Sequence, residues 1–286
     1  MAILLALVSA SLFGALTVMM RIALQRSDAP GLGALVMVGA ALLVGLVAAL
    51  PSIGSWGNAD LRALAWIAVA GALAPGLAGV VYTRAVRAAG ASRTVVVFGM
   101  APLVAVVIAL VALDEPLQAG LIVGTVLIVL GGLAVVFERS RPASFRWLGV
   151  VLAAGCMSLF AARDNVTRWK LSGEQLSPTL AVVVSLAAGT VVALLATPER
   201  DPRLLFRRGT LVFVPCGLVF GVSYVTLFEA YAHGRVSVVS PIVATETLFG
   251  VVLSALFLRR SELIGPRLFA GAALVVAGSA LIGIFR

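Results

Sequence analysis

Charged residues, histidine and cysteine are all scarce in this sequence of 286 residues. Charged side chains make up 12% of the chain, with one histidine and two cysteines, whereas about a quarter of the residues in a soluble domain are charged. Cys156 and Cys216 each lie within an apolar segment, which favours buried thiols packed as small hydrophobes over a disulfide or metal ligands. We therefore predict neither a metal site nor a cofactor.

Sequence motifs of enzymes are missing as well. The sequence has no HExxH, GxSxG, Walker or CxxC pattern, and its one histidine, His233, lies in a predicted hairpin turn next to Gly234. A solvated turn residue is the favoured interpretation of His233, with a proton relay as the alternative. Because one histidine without a partner offers little for catalysis, we predict that the protein is not an enzyme.

Apolar residues are abundant instead. They make up 62% of the chain, and the mean hydropathy is +1.14. A helix needs about 20 mainly apolar residues to cross a bilayer. The sequence therefore predicts an all-α membrane protein of ten transmembrane helices, the first of them a retained helix rather than a signal peptide. The ten segments, separated by turn-forming or charged clusters, are residues 2–24, 30–51, 62–88, 92–113, 117–137, 147–169, 177–196, 210–232, 237–258 and 264–285.

The chain repeats itself. The segment SLFGALTVMMR (Ser11–Arg21) returns 147 residues later as SLFAARDNVTR (Ser158–Arg168), and LIVGTVLIVLGG (Leu121–Gly132) returns at the same spacing as LFAGAALVVAGS (Leu268–Ser279). We predict two five-helix repeats, residues 1–140 and 141–286. A second copy of an odd-numbered unit must enter the membrane upside down, and inverted repeats are typical of secondary transporters with a central site. The alternative is that duplication only built a larger bundle.

The distribution of positive charge predicts the orientation. The formal net charge is +9, and fifteen of the 21 Arg and Lys residues lie in the odd-numbered connections between the predicted helices. Since cytoplasmic loops carry the excess of Arg and Lys, both termini are expected in the periplasm of a bacterial inner membrane. This explanation of the basic charge leaves no reason to expect nucleic acid as a partner.

One acidic residue, Glu246, interrupts the apolar ninth segment. An ionisable group at a bilayer centre costs roughly 3 kcal/mol or more. Counting twelve residues from the hairpin tip at Gly234 places Glu246 about 18 Å deep, just past the middle of a core about 30 Å thick. The same count around both hairpin tips, at Gly90 and Gly234, predicts a substrate-binding belt, whose members with their near neighbours are Gly79, Tyr82, Gly99, Pro102, Ser223, Tyr224 and Glu246.

Three acidic residues are candidates for coupling or gating. Glu246 could attract a cation or ammonium group or carry a proton; alternatively it is protonated and hydrogen-bonded to a neighbouring helix. Glu229, about a turn from the end of its helix, could snorkel or pair with Arg235, as a gate or as an anchor. Asp164 matches Thr17 of the first half and stands beside Arg163, so a helix-end ion pair is the favoured interpretation.

The sequence resembles the drug/metabolite transporter superfamily, in its EamA (RhaT-like) branch. The match is carried by Tyr82, the mid-helix Pro102, the acidic end Asp114-Glu115-Pro116 and the glycine-containing fifth helix. The second half departs from this pattern: Glu246 stands in place of Pro102, and Arg259-Arg260 replace Glu115-Pro116. The resemblance implies ten helices around a central cavity lined by the third, fourth, eighth and ninth. It also implies export of amino acids, other metabolites or amphipathic and aromatic compounds.

Three functions remain in competition at this stage. The first is a secondary exporter of small organic metabolites that works by alternating access, with protons as a candidate coupling ion. The second is an uncoupled facilitator or channel, and the third is a membrane enzyme or an assembly partner. The partners expected for the first are a small-molecule substrate and membrane lipid, with a monomer sufficient and a dimer left open.

Overall fold

The computed structural model describes residues 1–27, 32–101, 104, 119–136, 146–171, 176–197, 203, 205, 207–234, 239, 242–258 and 265–285. All regular elements within these residues are helices. The longer ones are α1 (Ala2–Arg26), α2 (Gly33–Ala49), α3 (Leu61–Gly71), α4 (Ala78–Ala89), α5 (Ala91–Phe98), α6 (Ala119–Val136), α7 (Trp147–Leu171), α8 (Pro178–Ala196), α9 (Val214–His233), α10 (Glu246–Phe257) and α11 (Pro266–Phe285). A 3₁₀ helix (Leu50–Asn58), a π-helical segment (Ala72–Leu77) and a single helical turn (Arg208–Leu211) complete them.

Six helical segments are long and apolar enough to cross a membrane. They are Ala2–Arg26, Gly33–Gly54, Leu61–Ala89, Trp147–Leu171, Pro178–Ala196 and Arg208–His233. Three shorter apolar helices, Ile122–Gly131, Glu246–Phe257 and Pro266–Ile282, accompany them within the described residues. The regular elements of the described residues are thus all helical, and at least six helical segments are suited to cross a membrane; the count of ten spanning helices stays a prediction.

The helices pack in a pattern that is preserved when the two halves are exchanged. Helix α1 contacts α9 and α10, and its counterpart α7 contacts α4 and α5. Three helices pack directly against their own counterparts: α2 against α8, α5 against α10, and α6 against α11. This reciprocity places the interior between the two halves, with α1 and α7 on its walls.

Small residues let some of these helices approach closely. A Cβ atom added at Gly131 of α6 would lie 2.7 Å from the carbonyl oxygen of Gly271 on α11. No such contact is tolerable, so a side chain there would push the two helices apart. In lipid, where helix association depends on close packing, these matched glycines fix α6 against α11.

Three helices are interrupted at the level of the interior. The π-helical segment Ala72–Leu77, which contains Pro75, separates α3 from α4. Helix α5 ends at Phe98 before a turn at Gly99 and Met100, and α10 begins at Glu246 after a turn at Ala244 and Thr245. Non-helical backbone at membrane depth is tolerated where it is covered by protein or lines a cavity. These breaks therefore mark the region where a cavity is expected.

Candidate substrate-binding cavity

A cavity of about 880 Å³, including space continuous with solvent, lies between the two halves. Its walls come from α1, α2, α4, α5, α7 and α9, from Pro75, and from the segment that leads into α10. The wall thus includes α1, α2 and α7 in addition to the helices that the family resemblance implied.

Much of the wall is aromatic. Phe98 meets Tyr82 edge-on with ring centroids 5.4 Å apart, and Phe160 lies 5.7 Å from Phe98. On another part of the wall, Phe13 and Phe220 lie 6.1 Å apart. All five residues line the cavity. Such rings offer large apolar contact surfaces with preferred edge-to-face geometry, which suits an organic solute better than a bare ion.

One side of the cavity carries charge. The Arg163 Nε atom lies 3.0 Å from Asp164 Oδ1, and the Arg163 side chain is only 2% exposed. Its guanidinium carbon lies 4.7 Å from the centroid of Tyr224 and 5.0 Å from that of Phe160. An ion pair surrounded by aromatic faces is stabilised by cation–π attraction as well as by its own charges. This arrangement holds a cation at the cavity without exposing it to lipid.

Glu246 faces the same space. Its side chain is 9% exposed and belongs to the cavity lining together with Arg163 and Asp164, which act on it electrostatically. It is the first residue of α10, where the partial positive charge of a helix N-terminus favours a carboxylate. Among the described residues, none hydrogen-bonds to its carboxylate. This placement favours a group available to a solute or proton over a hydrogen-bonded anchor.

Thr17 and Asp164 occupy matched positions in the first helices of the two repeats. Tyr82 on α4 donates a 2.7 Å hydrogen bond to Thr17 on α1. In the second half, Asp164 on α7 interacts electrostatically with Tyr231 on α9. All four side chains line the cavity. The second copy thus has a charge at the position where the first has a hydroxyl group.

Of the residues predicted for substrate binding, Gly79, Tyr82 and Glu246 line this cavity, as does Asp164 from the coupling set. Pro102 lies outside the described residues. Gly99 faces away from the cavity, because a Cβ atom there would collide with Thr247 of α10 and Val275 of α11.

Two further predicted residues form helix contacts instead of lining the cavity. Ser223 is fully buried, and its Oγ donates 3.0 Å to the carbonyl of Ser9 while Ser9 Oγ donates 2.9 Å to that of Ser223. Tyr224 lies behind Arg163, and its hydroxyl group contacts Ser185 Oγ at 2.9 Å. Ser223 therefore joins α9 to α1, while Tyr224 supports the charged wall.

Glu229 lies near the end of α9, outside the cavity lining. Its carboxylate is 3.6 Å from Nδ1 of His233, four residues further on, and both side chains are partly exposed. The suggested partner Arg235 lies outside the described residues. This position fits an anchor at the helix end.

Sequence reasoning missed Arg163 and Tyr231 as members of the site. Arg163 stands out in the sequence only as a neighbour of Asp164, and Tyr231 lies too near a hairpin tip for the depth count to include it. The available signal was the match between Thr17 and Asp164, which directs attention to α7. In the part of the chain that the structure describes, no group of three or more His, Cys, Asp or Glu residues could hold a metal ion.

An all-helical membrane protein with two interlocking halves and a cavity between them has the architecture of a small-solute transporter. The family model of the EamA-like transporter family matches residues 1–137 and 147–284. The chain therefore belongs to the EamA-like transporter family, which confirms the resemblance found in the sequence, and the two matches confirm two repeats.

The fold is also that of a known structure. A solved structure described as "Crystal structure of protein" covers 99% of this chain and 96% of its own, with a TM-score of 0.66 and 17% sequence identity. At that identity the likeness concerns the fold alone. No curated protein matches the sequence.

Proposed function

We propose that the protein is a secondary active transporter that exports small organic metabolites across the bacterial inner membrane by alternating access. In this proposal its two repeats, residues 1–140 and 141–286, are inverted, both termini lie in the periplasm, and a monomer suffices. The preserved packing pattern of the two halves supports two repeats that can move against each other. The observation that carries the proposal is Glu246, a carboxylate that faces a cavity with aromatic walls.

The side chains of the cavity wall favour solutes that have an apolar body and a charged group. The phenylalanine and tyrosine side chains of the wall supply contact area for an aliphatic or aromatic body. Glu246 supplies a site for an ammonium group, and Arg163 supplies donors that match a carboxylate. Amino acids and amphipathic aromatic amines meet these requirements.

Proton coupling is the role that we propose for Glu246. A carboxylate inside the membrane, facing a cavity, is a typical member of a proton relay. If a proton and a cationic solute compete for Glu246, a proton that binds from the periplasm displaces the solute into the periplasm. The proton then leaves into the cytoplasm, so proton entry drives solute export. An uncoupled facilitator would contain the same cavity but need no such exchange.

The first test identifies the solute. Cells that express the protein are compared with cells that express the Glu246→Gln variant at equal membrane abundance, and the metabolites in their media are quantified without preselection. The proposal predicts that amino acids or amphipathic aromatic compounds accumulate in the medium of the first cells only. Identical media for both strains would contradict it.

A further inference from the structure

Two arginines at matched positions each reach the end of a hairpin. Arg21, near the end of α1, donates from Nη1 to the carbonyls of Val86 at 3.2 Å and Arg87 at 3.0 Å, in the last turn of α4. Arg168, its counterpart 147 residues later on α7, points its Nη1 at the carbonyl of Gly234, the residue after α9, at 3.5 Å. Each repeat thus links its first helix to the tip between its third and fourth helices.

The chemistry of these contacts is that of a helix C-terminus. The last carbonyls of a helix lack partners within the helix and carry partial negative charge. An arginine can bind two of them at once through its planar group of donors. The contact is reversible, because water can take the place of the arginine once the tip moves away.

The two contacts are unequal. Arg21 is 7% exposed and makes two hydrogen bonds, whereas Arg168 makes one at the limit of hydrogen-bond distance. The tips differ in the same sense: Ala89 and Ala91 beside Gly90 are fully buried, while His233 beside Gly234 is 53% exposed. Gly234 also packs closely, since an added Cβ atom would lie 2.7 Å from Ala2 of α1. The difference between the tips therefore lies in the arginine contacts, of which that of Arg21 is the stronger.

Residues of the second repeat also contact the first hairpin tip, the turn at Gly90. The backbone N–H of Arg146, just before α7, donates 2.8 Å to the carbonyl of Ala88. A Cβ atom added at Gly149 would lie within 3 Å of Ala89. Gly90 itself has φ 91°, a left-handed conformation that favours glycine. The chain can therefore turn directly from α4 into α5 at this tip.

The cavity reaches closer to the second tip than to the first. Tyr231, which lines the cavity, lies three residues before Gly234, or about 4.5 Å along a helix. Tyr82, the lining residue of α4 closest in sequence to Gly90, lies eight residues before it, or about 12 Å. Along α9 the cavity lining therefore comes nearer to its hairpin tip than it does along α4.

We propose that Arg21 and Arg168 are reciprocal gating residues of the transport cycle. Each arginine holds the hairpin tip of its own repeat against the first helix of that repeat while access at that end is closed. The structure shows the state in which the Arg21 contact is engaged and the Arg168 contact is loose. This inference rests on the proposed alternating-access function, and it assigns to these arginines the control of which end is open.

A cysteine in the cavity reports which end is open. Ala161 of α7 lines the cavity and is small, so Ala161→Cys introduces a thiol there with little change in volume. The protein's own Cys156 and Cys216 are buried, and the parent protein gives their background. A membrane-impermeant methanethiosulfonate reagent is applied to right-side-out and to inverted vesicles, and the labelling rate is measured from each side.

The proposal predicts opposite shifts for the two arginines. With Ala161→Cys alone, labelling is faster from the side of the Gly234 tip. Adding Arg21→Gln should raise the rate from the Gly90 side relative to the Gly234 side by about tenfold, because charge-assisted hydrogen bonds that favour one state are lost. Adding Arg168→Gln should shift this ratio the other way. Arg26→Gln, which removes an exposed cation from the end of the same helix, should leave the ratio within about twofold of the parent.

The outcomes separate the gating role from the transport proposal. One-sided labelling that Arg21→Gln and Arg168→Gln leave unchanged would overturn the gating role, while alternating access would stand. Equal labelling from both sides in every variant would overturn alternating access itself. If Arg21→Gln does not reach the membrane, Arg21→Lys keeps the charge but loses the paired geometry and should give a smaller shift in the same direction. Failure of both Arg21→Lys and Arg168→Gln to shift the ratio would again overturn the gating role.

Discussion

Tyr82 and Thr17 form a 2.7 Å hydrogen bond that joins α4 to α1 at the wall of the cavity. The Thr17 hydroxyl group in turn donates 3.1 Å to the carbonyl of Phe13. A side chain from the third predicted helix is thereby fixed to the first helix through a chain of two bonds. In the second repeat the counterpart of Thr17 is Asp164, which presents a carboxylate to the cavity in place of the hydroxyl group.

Removing the Tyr82 hydroxyl should therefore cause a modest loss of stability. Tyr82→Phe keeps the ring against Phe98 and leaves Thr17 with its bond to Phe13, so the expected loss is about 1 kcal/mol. In detergent this corresponds to a fall of about 2–4 °C in the unfolding midpoint at a fixed scan rate. A midpoint equal to that of the parent would show that the bond does not contribute.

Because Arg163 and Asp164 form an ion pair, substitutions of the two residues should have strongly non-additive effects on the free energy of unfolding. Arg163→Gln leaves Asp164 without its cation; because Asp164 is 26% exposed, the expected loss lies below the roughly 3–5 kcal/mol of a fully buried pair. Adding Asp164→Asn should recover more than half of that loss, since a neutral amide tolerates the aromatic surroundings. Unfolding of the two single variants and the double variant forms a double-mutant cycle, and strictly additive losses would contradict the pairing.

Gly79 and Gly14 provide a matched pair of glycine substitutions. A Cβ atom at Gly79 meets nothing closer than Val38 at 3.7 Å, whereas at Gly14 it would lie 2.7 Å from Phe249 and 2.9 Å from the Glu246 carbonyl. Gly79→Ala should fold with unchanged or slightly higher stability and raise KM for bulky solutes by narrowing the cavity. Gly14→Ala should lower stability by about 1–3 kcal/mol. Comparable stability losses in both variants would contradict the packing described.

Substitution of Ser223 distinguishes a role in helix packing from a role in solute binding. Its reciprocal bonds with Ser9 lie away from the cavity lining, and an interhelical hydrogen bond in a membrane contributes about 0.6 kcal/mol on average. Ser223→Ala should lower the unfolding midpoint slightly and leave KM for the exported solute unchanged. A severalfold rise in KM without loss of stability would instead return Ser223 to the binding site that the depth count predicted.

The sequence predicts a depth for each polar residue but not its rotation about the helix axis. Glu246 and Tyr82 were found because an acid and a tyrosine contrast with apolar surroundings. Ser223 and Tyr224 were chosen by the same count along the helix, yet they face other helices, because one residue rotates a side chain by about 100°. In a helix that is apolar on every face, no periodicity identifies the inner side.

The sequence did not reveal the aromatic wall or the direction in which Gly99 faces, for related reasons. Phe13, Phe98, Phe160 and Phe220 look like ordinary lipid-facing residues in an apolar sequence, and only packing brings them together. Gly99 lies in the turn that ends α5, so counting along an unbroken helix assigned it the wrong direction. The repeat itself was readable, because matched segments such as Ser11–Arg21 and Ser158–Arg168 keep their spacing.

The coupling role of Glu246 is distinguished from that of Glu229 by their surroundings. Glu246 faces the cavity, while Glu229 lies beside His233 at the helix end. Glu229→Gln should keep at least half of the parent's export rate, with its response to a pH gradient intact. Glu246→Gln should lose that response. Export rates from cells at equal membrane abundance of the two variants decide between the residues, and the reverse order would assign coupling to Glu229.

The most direct test is transport of the identified metabolite into proteoliposomes with and without an imposed pH gradient. The account predicts that the parent protein concentrates the metabolite above its equilibrium level only when the gradient is present. Glu246→Gln, reconstituted at the same density, should at most equilibrate it. If the parent equilibrates the metabolite regardless of the gradient, or if Glu246→Gln concentrates it as the parent does, then Glu246 does not couple solute movement to protons.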